Sequence, residues 1–311
     1  MKIELLRNNY RRFNKKTDKF IGRGYRLKAW SSEIYCFLRY GCSPDDYFRY
    51  EFYRKSGYER NKFITYRRSK RIIRQYNDPT YSKYFGDKCL FNEKFADFIG
   101  RAWLDGRTCS FDEFDSFVKK YGAVFLKPMN GSQGHGALYL KAEEAKKLKD
   151  TYGNYIAEEI IRQHHILAKL NSSSVNTVRI LTFRGKAIAG ALRIGGKGSI
   201  VDNLHSNGVC AHLDLRTGLI DAPCINNQLD KFLTHPDSGI TLLGFQVPCW
   251  DEIIALAEKA AQMIPQVQYI GWDIAVTEHG AILVEGNHDP GHDVVQMIAQ
   301  TGLYEKIQRM K

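Results

Sequence analysis

Gly271-Trp272-Asp273-Ile274-Ala275-Val276-Thr277, then Glu278-His279-Gly280, then Ala281-Ile282-Leu283-Val284-Glu285-Gly286-Asn287, is the stretch on which the reading of this chain turns. Two short apolar runs joined by a turn predict a pair of strands. Strand side chains alternate between faces, so Glu285 and Asn287 share one, and hairpin pairing brings Asp273 beside them. Two carboxylates and an amide oxygen form a hard, all-oxygen set that suits Mg²⁺ carrying nucleotide phosphates rather than zinc. Taken alone, the same residues are better read as polar strand ends capping a hairpin.

Upstream, Phe125-Leu126-Lys127-Pro128-Met129-Asn130-Gly131-Ser132-Gln133-Gly134-His135-Gly136 reads as a strand ending in lysine, a glycine-rich loop and a second strand. Its glycines let the backbone present N–H groups to an anion, and Lys127 supplies a point charge for phosphate. It is not a Walker A loop, since no Gly-Lys-Ser/Thr follows. An ordinary hairpin turn stays open as the alternative. Tyr155-Ile156-Ala157-Glu158-Glu159-Ile160-Ile161 is an apolar strand ending in two acids, suited to an adenine edge and a ribose or simply a strand end.

A chain of 311 residues buries a large core and suggests about one to three domains. With 43% hydrophobic and 26% charged residues it reads as a folded rather than a disordered chain. No apolar run approaches the ~20 residues that span a bilayer, and Met1–Lys19 lacks the apolar core of a secretory signal. Seven scattered cysteines without a Cys-x-x-Cys pair predict reduced thiols in a cytoplasmic protein and argue against a cysteine zinc site. Residues 1–85 hold 22 Lys and Arg against 8 Asp and Glu, so the whole basic excess of the +12 chain sits there.

Residues 1–24 read as a mobile arm or a short amphipathic helix. Helices are predicted over Arg26–Arg39, from Ser43-Pro44 to Gly57, and over Glu59–Tyr76. Phe91 to about Lys120 again reads as helical, with a break near Gly106. An α+β body follows. Strands are predicted at Ala123–Lys127, Ala137–Leu140, Asn154–Ala157, Thr177–Phe183 and Ala187–Ile194, with helices at Ala142–Asp150, Trp250–Met263 and Val294–Ala299.

The order of lysine with a glycine-rich hairpin, strand-Glu-Glu, Asn176-Thr177-Val178-Arg179-Ile180, a late Asp and Glu-x-Asn resembles the ATP-grasp superfamily. Gln163-His164-His165, Ser174 to Arg179, Val201-Asp202-Asn203 and Gly271 to Ile274 are similar to its sugar-transfer-associated subgroup, found among bacterial genes for surface polysaccharides. The resemblance implies an ATP-grasp fold, two α+β subdomains gripping ATP between antiparallel sheets, here preceded by the basic helical segment 1–85. Residues 86–311 would form the catalytic region, with the nucleotide flap at about 120–160 and the metal and substrate groups at about 161–300. It implies ATP and Mg²⁺ as cofactors. Lys88 and Lys127 would bind the nucleotide under Gly131, Ser132, Gln133, Gly134 and Gly136. Glu158 and Glu159 would line the adenine hinge, and Asp273, Glu285 and Asn287 would hold the metal. Arg179 and Arg193 would stabilise the transferring phosphoryl, unless they are only cross-strand ion-pair partners. His205, in the loop Asp202–Gly208, would contact substrate or move a proton, unless it is solvated.

The implied activity is a carboxylate–amine or carboxylate–sugar ligase working through an acyl phosphate, with a phosphotransferase on the same fold as its rival. Its partners would be a carboxylate-bearing small molecule and an amine or sugar acceptor, including an anionic or lipid-linked glycan. The tyrosine-rich basic segment also matches an ATP-regulated nucleic-acid-binding protein, an anionic membrane surface, which would place a cytoplasmic protein at the inner membrane, or a helical cap whose charges are simply solvated. Of these, a glycan acceptor fits the resemblance best. His288-Asp289-Pro290-Gly291-His292-Asp293 invites a transition-metal reading, but Pro290-Gly291 forces a turn, and Asp293 is expected to cap the last helix or touch the acceptor.

Overall fold

The computed structural model describes residues 2–129, 136–202, 204 and 208–310. Contacts divide the chain into two compact units, Met1–Gln75 with Gly291–Lys311, and Tyr76–Pro290.

The first unit is helical. α1 (Lys2–Phe20), α2 (Arg26–Tyr40), α3 (Pro44–Arg49), α4 (Gly57–Asn61) and α5 (Tyr66–Tyr76) follow in order. At the start of α3 the Ser43 hydroxyl accepts the Asp46 N–H and the Asp46 carboxylate accepts the Ser43 N–H, a capping box with Pro44 at the first position. The pattern predicts that this helix runs to Gly57, but it ends at Arg49 and Glu51 takes a left-handed φ of 50°. Tyr47, Phe48, Tyr50 and Phe52 are all buried, and at 100° per residue a continuous helix would turn some of them outward.

The same conflict splits the single helix predicted over Glu59–Tyr76. Consecutive Phe63, Ile64 and Thr65 are buried, and the Ile64 backbone is pinned by Gln296. The Gln296 Oε1 accepts the Ile64 N–H at 2.9 Å, and its Nε2 donates to the Ile64 carbonyl at 3.0 Å.

The second unit opens with α6 (Lys83–Gly86), α7 (Lys88–Lys94) and α8 (Ala96–Ile99). β1 (Trp103–Asp105), α9 (Phe111–Tyr121), β2 (Ala123–Pro128), β3 (Leu138–Lys141) and β4 (Tyr155–Glu159) come next. The strands form an antiparallel sheet in the order β1-β4-β2-β3, with Phe114 and Val118 of α9 packed on Val124, Leu126 and Ala157. β1 lies in the stretch predicted as helical, just before the break expected near Gly106; three residues are too few to show a strand period. The predicted break at Gly106 has a physical cause, since a Cβ there would sit 2.4 Å from the Tyr152 carbonyl. Residues predicted as a helix over Ala142–Asp150 form a 3₁₀ segment, Ala142–Leu148.

A seven-stranded sheet follows, built from β5 (Thr177–Phe183), β6 (Lys186–Ile194), β7 (Val209–Leu213), β8 (Cys224–Ile225), β9 (Lys231–Phe232), β10 (Tyr269–Thr277) and β11 (Gly280–Asn287). Helix α10 (His165–Ala168) precedes it and α11 (Trp250–Gln262) precedes β10. The order is β11-β10-β5-β6-β7-β8-β9, all antiparallel. Ile270, Trp272 and Ile274 join Ile253, Ala257 and Ala260 of α11 in one core, and the Trp272 indole donates to the Thr182 hydroxyl at 3.0 Å. Alternation therefore turns Asp273 to the opposite face. The last helices, α12 (Val294–Ala299) and α13 (Tyr304–Arg309), belong to the first unit.

Candidate functional site

That opposite face borders a cavity of about 440 Å³ within the second unit, lined from both sheets. The size falls within the ~300–1,000 Å³ usual for small-molecule sites. Phe125, Tyr139, Ile160, Ile161 and Val284 line its apolar part, while Lys127, Arg193, Asp273 and Glu285 line its charged part.

Strand register assembles the charged part. Asp273 on β10 lies opposite Glu285 on β11 and opposite Arg179 on β5, and Thr177 lies opposite Arg193. A bulge just beyond, between Asp273 and Ile274, shifts the β10–β11 pairing so that Ile274 meets Leu283. Asp273 is 2% exposed and accepts from Arg179 Nη2 at 2.8 Å and from Arg193 Nη1 at 2.9 Å. Arg193 also reaches Asp202 at 3.3 Å, and Asp202 accepts the Thr177 N–H at 3.0 Å as well as its hydroxyl. The Asn287 amide donates to Glu285 Oε1 at 3.2 Å.

The two facing carboxyls are pushed apart in acidity. Burial works to raise Asp273, but the two guanidiniums outweigh it and hold the group well below the usual carboxylate range. Crowding by protein raises Glu285, and the neighbouring Asp273 charge adds to the rise. Glu285 is nonetheless open to water in the cavity, which tempers its shift. Burial raises Asp202 too, with Arg193 opposing and Asp273 adding to the rise.

From the other sheet, Lys127 meets Glu158 at 2.6 Å. Glu158 is buried and also accepts from Arg101 Nη2 at 3.0 Å and Asn92 Nδ2 at 3.1 Å. Burial opposes its ionisation, but Arg101 and Lys127 keep it an anion. Its carboxylate is thus occupied with holding Lys127 in place. Lys88 lines the cavity and donates to the Pro128 carbonyl at 2.9 Å; burial and the Lys127 charge lower its pKa. Glu159 lines the cavity as well and accepts the Ala102 N–H at 3.2 Å.

Among the residues singled out from sequence, Lys88, Lys127, Glu158, Glu159, Arg193, Asp273 and Glu285 share the cavity wall. Arg179 and Asn287 stand behind it, each bonded to a wall carboxylate. Gly136 has a φ of 75°, and a Cβ there would meet Pro128 at 3.0 Å. Gly131, Ser132, Gln133, Gly134 and His205 lie outside the described residues. Sequence reasoning missed Arg101, Tyr139, Ser172 and Ser173, and gave no site role to Ser174, which also lines the cavity. Arg101 sits in a stretch that reads as helix, and nothing local signals a partner 57 residues away.

The donor set fits a hard dication. Asp273 and Glu285 are facing carboxylates with an amide on the same strand face; Asp273 Oδ2 is taken up by Arg179 and Arg193, so the lone pairs open to a metal are on Asp273 Oδ1 and the Glu285 carboxylate. A second cluster, His164, His165 and Glu278, comes within metal-binding range among the described residues. There the His164 Nδ1 accepts the Ile166 N–H at 3.2 Å, so one ring nitrogen is already engaged by the backbone, and Nε2 lies 3.7 Å from Glu278. The run His288–Asp293 forms no such cluster among the described residues: His292 pairs with Asp46 at 3.2 Å. Asp293 pairs with Arg49 and makes no side-chain cap on α12, correcting the capping expectation.

A family model for sugar-transfer associated ATP-grasp proteins matches residues 67–311. No curated protein is detectably similar in sequence. Among solved structures, the ATP-grasp ligase PsnB complexed with its minimal precursor is 13% identical, with a TM-score of 0.47 over 76% of this chain and 64% of that one. D-alanine–D-alanine ligase from Bacillus anthracis is 12% identical, with a TM-score of 0.42 over 78% and 69%. An N5-carboxyaminoimidazole ribonucleotide synthetase in complex with ADP is 11% identical, with a TM-score of 0.46 over 73% and 52%. The match thus spans less than two thirds of the length of PsnB. With its α+β architecture of antiparallel sheets and a family match over most of its length, the chain belongs to the sugar-transfer associated ATP-grasp family.

Proposed function

We propose that the cavity binds ATP with Mg²⁺ and activates a carboxylate as an acyl phosphate, which an amine or a sugar hydroxyl then attacks during surface-polysaccharide assembly. ATP-grasp proteins use ATP and Mg²⁺ and are typically ADP-forming ligases, which supports the reaction class. The carrying observation is the facing pair Asp273–Glu285, bonded to Asn287 and sharing one cavity with Lys127.

In this reading Phe125, Tyr139, Ile160 and Ile161 take the base and exclude water from it. Lys88 and Lys127 bind phosphate oxygens, with Glu158 and Arg101 positioning Lys127. Asp273, Glu285 and Asn287 would hold Mg²⁺, which would supply charge neutralisation for the nucleotide's phosphates. Arg193 neutralises charge developing on the transferred group, and Arg179 orients Asp273. The carboxylate oxygen bonds to the γ-phosphorus as the bond to ADP breaks; the amine or hydroxyl then bonds to the acyl carbon, the bond from that carbon to the phosphate oxygen breaks, and the nucleophile's proton leaves with the phosphate. Residues 120–160 would cover the nucleotide and 161–300 would present metal and acceptor.

Incubation with ATP, Mg²⁺, candidate amino acids or acidic sugars and hydroxylamine should give an acyl hydroxamate together with ADP. A stable phosphorylated product without hydroxamate would make the protein a kinase and overturn the ligase reading.

A further inference from the structure

Helix α2 is turned inside out. Its inward side carries Ala29, Cys36, Tyr40 and the carboxylate residue Glu33, all buried. Its outward side carries Leu27, Ile34 and Leu38, which are 87%, 52% and 70% exposed. At 100° per residue these three fall within about 40° of arc and form a ridge roughly 16 Å long. Ser31 lies on the same ridge and turns its hydroxyl back to the carbonyls of Leu27 and Lys28, both at 3.1 Å, so even this polar group is satisfied by the helix itself.

The rim is basic and aromatic. Exposed Tyr35, Lys28 and Arg39 border one edge, and Phe37 borders the other with the Arg67 guanidinium 4.0 Å above its ring. The first unit holds 24 Lys and Arg against 9 Asp and Glu, a net of +15. An apolar ridge inside a cationic rim is the pattern of a helix lying in a lipid–water interface, where apolar burial and attraction to anionic headgroups act together. A second copy is a poor occupant, because it would set one +15 surface against another.

We propose that the outward face of α2 docks this protein on an anionic lipid bilayer, with Leu27, Ile34 and Leu38 inserted among the acyl chains and Lys28, Arg39 and Arg67 on the headgroups. The proposal is independent of the reaction assigned to the cavity.

Co-sedimentation of the full chain with vesicles of phosphatidylcholine alone, and of phosphatidylcholine with about 30 mol % phosphatidylglycerol, tests it. Binding is expected to the anionic vesicles and to weaken on adding salt. The triple variant Leu27→Ser/Ile34→Ser/Leu38→Ser should bind roughly tenfold or more weakly, with its circular dichroism unchanged because all three side chains point outward. Leu27→Ser alone, at the most exposed of these positions, should weaken binding in the same direction and serves if the triple variant unfolds. Lys28→Glu/Arg39→Glu should weaken it as well. No binding of the wild type to anionic vesicles, or equal binding by the serine variants, would overturn the proposal. So would a dimer in light scattering that the triple variant dissolves, since a second copy would then be what covers the face.

Discussion

Asp273→Asn removes one charge from the centre of the cavity floor and leaves everything else in place. The wild-type carboxylate is 2% exposed and faces two guanidiniums, Arg179 at 2.8 Å and Arg193 at 2.9 Å. Removing one partner of a buried pair costs about 3–5 kcal/mol, because the remaining charge is left uncompensated. The lower end applies here: Asn keeps the shape and one acceptor, Arg193 retains Asp202, and the repulsion between Asp273 and Glu285 disappears. For a unit of this size each kcal/mol moves Tm by about 2–4 °C, so the second unit should melt roughly 6–12 °C earlier at pH 7.

The pH dependence has a definite sign. Asp273 has a depressed folded pKa, so its contribution is present above the unfolded value, which is 3.8, and is lost only as pH falls through the folded one. The gap between wild type and Asp273→Asn should therefore be constant from pH 5 to about 8 and narrow below about 4. Adding Arg179→Met to Asp273→Asn should return part of the loss, with a coupling of about 0.5–3 kcal/mol. Differential scanning calorimetry reads all three quantities. A single variant melting within about 2 °C of wild type would mean that the guanidiniums are solvated and the cluster is not a built site.

Glu158→Ala should destabilise the second unit by about 3–5 kcal/mol in urea unfolding and also weaken binding of an ATP analogue, because Arg101 and Lys127 both lose their partner. Weakened nucleotide binding with unchanged stability would instead give Glu158 a direct role at the adenine. Gly286→Ala would place a Cβ 2.8 Å from the Trp272 ring and 3.0 Å from Phe91, between the two proposed ligands Glu285 and Asn287. It should cost about 1–3 kcal/mol and weaken Mg²⁺-dependent nucleotide binding; an unchanged Tm would contradict the packing. In the first unit, burial opposes protonation of His292, but Asp46 wins and raises its pKa above 6.5. That stability is complete below the unfolded value and lost as pH rises through the folded one, so the wild-type Tm should fall over that window while His292→Gln stays flat.

The hairpin that ends in Glu285-Gly286-Asn287 was legible because its runs are long and apolar and side chains on a strand alternate. The cross-strand meeting of Asp273 with Glu285 followed from pairing alone. The capping box at Ser43 was legible for the same local reason. The breaks within Tyr47–Phe52 and Phe63–Thr65 were not, because they arise from burying neighbouring side chains at once and from the distant Gln296. Arg101 shows the limit most clearly: its role is set by Glu158 and by the Leu283 carbonyl, 182 residues away, which no local pattern encodes. Arg179 and Arg193 stood between catalytic and ion-pair readings. Their bonds to Asp273 are ion pairs, while Arg193 also faces the cavity.

Calorimetric titration of a non-hydrolysable ATP analogue, with and without Mg²⁺, into the wild type and Glu285→Ala/Asn287→Ala tests the metal–nucleotide assignment most directly. Both side chains are at the solvent-open end of the hairpin, so the double variant keeps the buried ion-pair network. The wild type should bind the analogue much more tightly with Mg²⁺ than without it. The double variant should retain the metal-independent affinity and lose the enhancement. An undiminished Mg²⁺ enhancement in the double variant would contradict the assignment and return Glu285 and Asn287 to polar strand ends.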